Sequence, residues 1–245
     1  RVLAAGAGNS LFHVAAGTVT LKDAGLRAAP LGVFVAPGAV GLTLGTLYPA
    51  WGTAFAAAAL LLAAVMFFVL REGPWARPAP RPVPWSAAAA LLLAVAVRAV
   101  GGSAVSFPWR TAPALTLVLT GCVFAGKTAG GFLCDALGAR RSALLSVPAA
   151  ALLAAFCGAW MFPSLAGQLL LNLTMPVTLW LLYRAMPDAP GLAFGLAASA
   201  LWPGTLLGRG IALSGDARWA LILVCFAASL AAILYADGKE RKEAL

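Results

Sequence analysis

The chain has 245 residues, of which 62% are hydrophobic and 10% charged, and its formal net charge is +9. Soluble domains carry about 25% charged residues, so a soluble fold could not cover its surface with so few. The composition excludes an ordinary soluble enzyme or binding domain and predicts a chain solvated mainly by lipid. Its basic residues are spread over the loops between apolar runs, which argues against nucleic acid as a partner.

Nine apolar runs follow one another along the chain. They cover residues 2–21, 28–47, 51–70, 86–107, 112–133, 142–162, 165–183, 191–207 and 219–236. A membrane-spanning helix needs roughly 20 apolar residues, and a helix satisfies its own backbone polar groups, as lipid demands. We therefore predict an all-α polytopic membrane helix bundle with about nine transmembrane helices, whose first partner is the lipid bilayer.

A proline-rich stretch divides these runs into two sets. Residues 71–84 contain five prolines and three arginines, and such a sequence forms an extended, semi-rigid linker. We predict a partial N-terminal lobe of three transmembrane helices (1–71), a Pro/Arg-rich cytoplasmic linker (72–85) and a C-terminal lobe of six (86–236). A charged cytoplasmic tail (237–245) completes the chain.

The distribution of Lys and Arg orients these spans. If the loops alternate between sides, eleven of these residues lie on one side and four on the other. By the positive-inside rule, the side with eleven is cytoplasmic. We therefore expect an integral protein of a prokaryotic cytoplasmic (inner) membrane, with the linker and the C-terminus in the cytoplasm.

Prolines and glycines interrupt two of the runs. Pro37-Gly38 lies in the second run and Pro203-Gly204 in the eighth. Proline within a spanning helix predicts a kink, so we expect both helices to bend there. The two runs also resemble each other in their spacing of Pro and Gly, which indicates two related halves.

A short charged turn joins the fifth and sixth runs. It reads Gly131-x-Leu133-x-Asp135-x-x-Gly138-x-Arg140-Arg141, and it resembles the signature loop of the major facilitator superfamily. Members usually carry this loop between helices two and three, with a weaker copy between helices eight and nine. The resemblance implies a chain that corresponds to helices four to twelve of such a transporter, N-terminally incomplete, with three helices before and six after a central loop.

The resemblance also implies a role for this turn as a cytoplasmic gate. Gly131 and Gly138 permit a tight turn, and Asp135 can accept hydrogen bonds from a helix N-terminus. Its partner would be the start of the second run, near Arg27 and Ala28, and this contact would close the cytoplasmic side. The alternative is that Asp135 and the two arginines only end two helices and set the topology.

Two basic residues lie inside spans and are candidates for binding substrate. Arg98 lies about 18 Å into its run at 1.5 Å per residue, and an arginine at that depth should face the bundle interior. It would bind an anionic solute, or alternatively form a structural pair. Lys127 either extends towards the cytoplasmic interface, pairs in the gate, or contacts substrate.

Uncharged polar residues complete the predicted cavity. His13, with Asn9 one turn before it, can titrate near physiological pH and could carry a coupling proton, although a lone histidine is more often a packing residue. Gln168 and Asn172 share one helical face and either line the same cavity or bridge helices.

We therefore predict a secondary active transporter that moves a small solute, such as an organic anion, by alternating access. A coupling proton or other ion is an expected partner, and we expect a monomer that needs neither cofactor nor metal. One alternative is a truncated membrane fragment that transports nothing. The other, a membrane-embedded enzyme, is disfavoured because the spans contain one histidine and no carboxylate away from their ends.

Overall fold

The computed structural model describes residues 2–69 and 82–243 of the chain, and every regular element in those ranges is a helix. The ten α-helices are α1 (Val2–Ala24), α2 (Ala29–Val35), α3 (Pro37–Leu47), α4 (Gly52–Val69), α5 (Trp85–Ser103), α6 (Pro113–Leu137), α7 (Ala139–Phe156), α8 (Met161–Ala185), α9 (Pro190–Gly210) and α10 (Gly215–Glu243). A single 3-10 turn, Pro49–Trp51, precedes α4. Most of the predicted linker, residues 72–81, lies outside the described ranges.

Eight stretches within the described ranges are long and apolar enough to cross a membrane, with α2 and α3 together forming the first of them. The chain is therefore described as a polytopic helical membrane protein. Helix α1 has 23 residues but is not among the eight. The count of nine spans stays a prediction.

The second half of the chain forms a closely packed group of six helices. Helix α5 packs on α9 and α10, and α8 packs on α6 and α7. The core between them is rich in alanine, and small residues let helix backbones approach without help from a hydrophobic driving force. The closest approach is at Gly130, where a Cβ atom would lie 2.1 Å from the carbonyl oxygen of Leu173.

The first helices lie against this group along one side. Helix α1 packs on α9, and both α2 and α3 pack on α6, where the hydroxyls of Thr43 and Thr120 are 2.8 Å apart. Helix α4 packs only on the preceding 3-10 turn to any extent, and none of its residues is buried. This position agrees with its sequence of almost uninterrupted Ala, Leu and Phe, which suits a surface facing lipid.

The ends of α5 and α10 differ from those of the predicted runs. Helix α5 ends at Ser103 rather than at residue 107, because Gly101-Gly102 lowers helix propensity just before the end. Helix α10 does not end at residue 236 but continues to Glu243. The predicted tail is thus helical as far as Glu243, and an Asp237–Arg241 ion pair of 2.8 Å at i,i+4 spacing supports it.

The two predicted kinks have different outcomes in the backbone. The helix is interrupted at Ala36, between α2 and α3, directly before Pro37. Pro203 lies inside α9, which is continuous from Pro190 to Gly210, so a bend at Pro203-Gly204 remains a prediction.

Candidate functional site

A carboxylate joins the two halves of the chain. Asp135, in the last turn of α6, accepts a hydrogen bond of 2.5 Å from the N–H of Ala28 at Oδ1 and one of 3.0 Å from the N–H of Ala29 at Oδ2. The first N–H groups of a helix have no partner within the helix, and here they belong to the start of α2. This is the contact that the resemblance led us to expect; its action as a gate is a separate question.

Glycine makes this contact possible. Gly131 lies one turn before Asp135, and a Cβ atom there would be 2.6 Å from the carbonyl oxygen of Ala28 and 2.7 Å from the Cα of Ala29. Both neighbours are backbone atoms that cannot turn aside. The backbones of α6 and α2 are therefore in direct contact where the carboxylate binds.

The remaining residues of the motif form a turn or lie on the protein surface. Gly138 joins α6 to α7 with φ of +80°, a conformation that other residues rarely adopt. The side chains of Arg140 and Arg141 are exposed, and neither forms an ion pair with a residue in the described ranges. They add positive charge to this end of the bundle, which we call the basic end: it holds the α1–α2, α6–α7 and α8–α9 connections and the end of α10.

A residue of α8 makes a second contact with the α1–α2 connection. The indole Nε1 of Trp180 donates a hydrogen bond of 3.2 Å to the carbonyl oxygen of Leu26. The guanidinium of Arg184 lies over the Trp180 ring, 4.9 Å from its centroid, and is 3.8 Å from a carboxylate oxygen of Glu240 on α10. The same short connection is thus bound by α6 at one residue and by α8 at another.

An apolar layer lies next to these two contacts, between the two halves of the chain. It is formed by buried side chains from α1, α2, α8 and α9 that pack together, namely Leu21, Ala24, Leu31, Leu179, Tyr183 and Phe194. The ring of Phe34 meets that of Phe194 edge-on, with centroids 5.6 Å apart. This layer packs α1 and α2 of the first half against α8 and α9 of the second.

Arg98 is buried, with 8% of its surface exposed. Its Nη1 donates a 2.6 Å hydrogen bond to the hydroxyl of Thr174, and Nη2 donates one of 3.2 Å to that of Thr178. Both acceptors lie on α8, one turn apart. Arg98 therefore faces the bundle interior as its sequence position predicts, but its donors are directed at threonines rather than into an open cavity.

Lys127 lies at the junction of α6, α8 and α2. It is on the same face of α6 as Thr120, two turns before it, and Gly131, one turn after it, and these residues contact α3 and α2. Its neighbour Gly126 is packed against α8 at Leu169 and Asn172. The lysine side chain is half-buried, and no hydrogen bond or ion pair joins it to a residue in the described ranges.

Gln168 and Asn172 lie on one face of α8, as expected from their spacing. Leu179 and Tyr183, further along that face, belong to the apolar layer between the two halves. Both polar side chains are half-buried, and Nδ2 of Asn172 donates a 2.8 Å hydrogen bond to the carbonyl oxygen of Gln168. Gly126 packs against Asn172, so Lys127 and Gln168 lie near this contact along α6 and α8, whereas Arg98 meets a different face of α8 at Thr174 and Thr178.

His13 lies apart from this region. It is half-buried in α1, and its ring centroid is 5.7 Å from that of Phe12 and 6.3 Å from that of Phe194 on α9. The aromatic surroundings fit a packing role at the α1–α9 contact, and the predicted proton-carrying role stays a prediction. The side chain of Asn9 lies outside the described part of the chain.

Three residues of this region were not predicted as site residues from the sequence. Thr174 and Thr178 have the i,i+4 spacing that places two hydroxyls on one helical face, and that spacing was the available signal. Trp180 had no comparable signal, because an interior tryptophan is ordinarily read as packing. Its hydrogen bond depends on where the α1–α2 connection runs.

Comparisons with protein-family models, with curated proteins and with solved structures return no match for this chain. Within residues 2–69 and 82–243, no group of three His, Cys, Asp or Glu side chains is placed to hold a metal ion. The region described above is therefore interpreted from its own residues.

Proposed function

We propose that the chain belongs to a secondary active transporter of the major facilitator type, which moves a small solute by alternating access. The sequence motif of residues 131–141, the eight candidate spans and the packing of two helix groups along one side support this proposal. The observation that carries it is the pair of hydrogen bonds from Ala28 and Ala29 to Asp135.

The strength of this contact suits a reversible gate. Asp135 is exposed, where a carboxylate at a helix N-terminus contributes about 0.3–1 kcal/mol, and conformations that interconvert in function differ by a few kcal/mol. Two such bonds favour a closed basic end without making it permanent. Apolar packing alone would not provide the directional hydrogen bonds that the Asp135 carboxylate accepts.

The charge distribution gives the proposed orientation. The basic end carries Arg140, Arg141, Arg184 and the basic residues of α10, so we place it in the cytoplasm. With this end closed by Asp135 and by the apolar layer, the described conformation corresponds to a state closed towards the cytoplasm. The polar region around Lys127 and Asn172 lies just beyond that closure, where a solute would be held.

Distance measurements test the gate without knowledge of the solute. Arg27 and Ala136 are exposed on the two sides of the Asp135 contact, so spin labels on cysteines at these positions report its opening. The protein would be expressed from its full reading frame in a background without native cysteines. We expect two distance populations, and we expect Asp135→Asn to shift the balance to the longer one and to lower uptake by proteoliposomes of labelled organic anions, sugars or drugs.

Two controls separate a gate from general loosening. A label pair at Ala136 and Lys242, both in the second half of the chain, should keep one distance in every variant. Asp23→Asn removes an exposed carboxylate from the same end and should leave both pairs unchanged. A single, unchanged distance for the Arg27–Ala136 pair, together with no saturable uptake, would instead favour a membrane protein that transports nothing.

A further inference from the structure

Lys127 on α6 and Arg98 on α5 are two cations inside candidate membrane spans, and both helices pack on α8. Arg98 directs its Nη1 and Nη2 atoms to Thr174 and Thr178. Lys127 forms no hydrogen bond or ion pair with a residue in the described ranges. Placing a cation in a low-dielectric interior is costly unless a partner compensates it, so a negative charge near Lys127 would stabilise it.

The spans within residues 2–69 and 82–243 do not supply that charge. In the described ranges the acidic residues lie at helix ends or in loops, namely Asp23, Asp135, Asp188, Asp216, Asp237, Glu240 and Glu243. The nearest along α6 is Asp135, two turns further on, and its oxygens accept the N–H groups of Ala28 and Ala29. A bound anion would supply such a charge.

The surroundings of Lys127 also fit an anionic group. Gln168 and Asn172 add amide groups on a neighbouring face of α8, where Asn172 packs against Gly126, the residue before Lys127. Amide N–H groups and an ammonium group together match the oxygens of a carboxylate. Arg98, held in place by Thr174 and Thr178 of α8, is a second, buried positive charge against the same helix.

We infer that this region binds a small organic anion through a carboxylate, and that Lys127 makes the direct ion pair while Arg98 acts as a positioning residue through the electrostatic field. This inference rests on the proposed function, because it names the class of solute that the proposed transporter carries. It assigns the primary contact to Lys127, whereas the sequence alone favoured Arg98.

Thermal unfolding of the purified protein in detergent tests the inference. Benzoate and succinate serve as carboxylate probes, glucose as a neutral probe and tetraethylammonium as a cationic one, at equal ionic strength. We expect a carboxylate to raise the melting temperature of the wild type and of Lys127→Arg. We expect Lys127→Met to weaken carboxylate binding by about 10- to 100-fold, the range for loss of one charged hydrogen bond.

A second readout distinguishes binding from a structural role. Without ligand, Lys127→Met should melt at the same or a higher temperature than the wild type, because it removes a half-buried charge that has no partner in the described ranges. Lys242→Met, which removes an exposed lysine from the end of α10, should change neither the melting temperature nor the carboxylate response. If Lys127 were a structural anchor, Lys127→Met would lower the melting temperature in the absence of ligand.

The inference is overturned if no carboxylate stabilises the wild type, or if carboxylates stabilise Lys127→Met to the same extent. Its failure differs from a failure of the transport proposal. Saturable uptake of glucose that is unaffected by Lys127→Met would leave alternating access intact and overturn the anion site. Carboxylate binding that depends on Lys127, without uptake of any solute, would support the site and overturn transport.

Discussion

The guanidinium of Arg98 on α5 lies 2.6 Å from the hydroxyl of Thr174 on α8, and the two residues depend on each other unequally. The Thr174 hydroxyl also donates to the carbonyl oxygen of Leu171 in its own helix, and the Thr178 hydroxyl has carbonyl acceptors in α8. The guanidinium of Arg98 has no alternative hydrogen-bond acceptor within α5. If Arg98 is removed, both threonine hydroxyls keep their hydrogen bonds to carbonyl oxygens of α8. If a threonine hydroxyl is removed, the buried Arg98 cation loses one of its two acceptors.

We therefore expect Thr174→Val to destabilise the protein by about 1–3 kcal/mol, the cost of leaving a buried polar group without its partner. Arg98→Met should cost less, since it removes the charge itself. Thermal unfolding in detergent gives the comparison. Thr46→Val is the matched control, because the Thr46 hydroxyl is exposed and bonds only to the Leu42 carbonyl oxygen in its own helix; equal effects of both threonine substitutions would contradict the prediction.

Gly131→Ala should open the contact between α6 and α2. The added methyl would meet backbone atoms of Ala28 and Ala29 at 2.6–2.7 Å, and overpacking of this kind costs about 1–3 kcal/mol. Cys134, one turn later, is 3% exposed, so its rate of labelling by a maleimide, measured in a background without the other cysteines, reports this opening. We expect the rate to rise about fivefold or more.

Gly121→Ala provides the control for that experiment. It lies in the same helix, and a Cβ atom there would have no neighbour within 4 Å. Alanine is the better helix former by about 1 kcal/mol, so the variant should be at least as stable as the wild type, with Cys134 labelled at the wild-type rate. If Gly121→Ala and Gly131→Ala raised the labelling rate equally, the effect would not come from the α6–α2 contact.

Gly130→Ala should lower stability more directly. Its Cβ atom would lie 2.1 Å from the Leu173 carbonyl oxygen and 2.7 Å from the Leu173 carbonyl carbon and Cα. These are backbone atoms of α8, so α6 and α8 would have to move apart, at a cost of about 1–3 kcal/mol. Unfolding in denaturant measures this cost, and a stability equal to that of Gly121→Ala would show that the two helices are not in the close contact described.

Trp180→Phe should loosen the connection between α1 and α2. The substitution keeps an aromatic ring beneath Arg184 but removes the hydrogen bond to Leu26, at a cost of about 0.5–1.5 kcal/mol. We expect faster amide hydrogen exchange in residues 25–28. Trp202→Phe, at a site that is 69% exposed on α9, is the control, and unchanged exchange in Trp180→Phe would show that the indole bond does not restrain the connection.

Most of the helices could be predicted from the sequence, because a long apolar run has no other stable form in lipid. Their ends were harder to place. The prediction that α5 extends to residue 107 overlooked the weakness of Gly101-Gly102, and the prediction that the last helix ends at Ala236 overlooked the Asp237–Arg241 pair, which lets a charged segment remain helical.

The candidate site could be predicted only in part. The partner of Asp135 came from the family resemblance, since no spacing rule connects residues 107 positions apart. For Lys127 the sequence left three roles open, because its surroundings depend on the rotation of α6, which is set by the glycines at positions 126, 130 and 131. Burial of Arg98 against two threonines depends likewise on how α5 meets α8.

The two glycine faces of α6 also determine where the molecule can divide. Towards α8, Gly126 and Gly130 bring backbone against backbone over a full turn. Towards α2, the contact depends on one carboxylate and two N–H groups, all of which water can replace. In any rearrangement α6 and α8 should therefore move together as one rigid pair. The two halves should separate at the α6–α2 contact, next to Lys127.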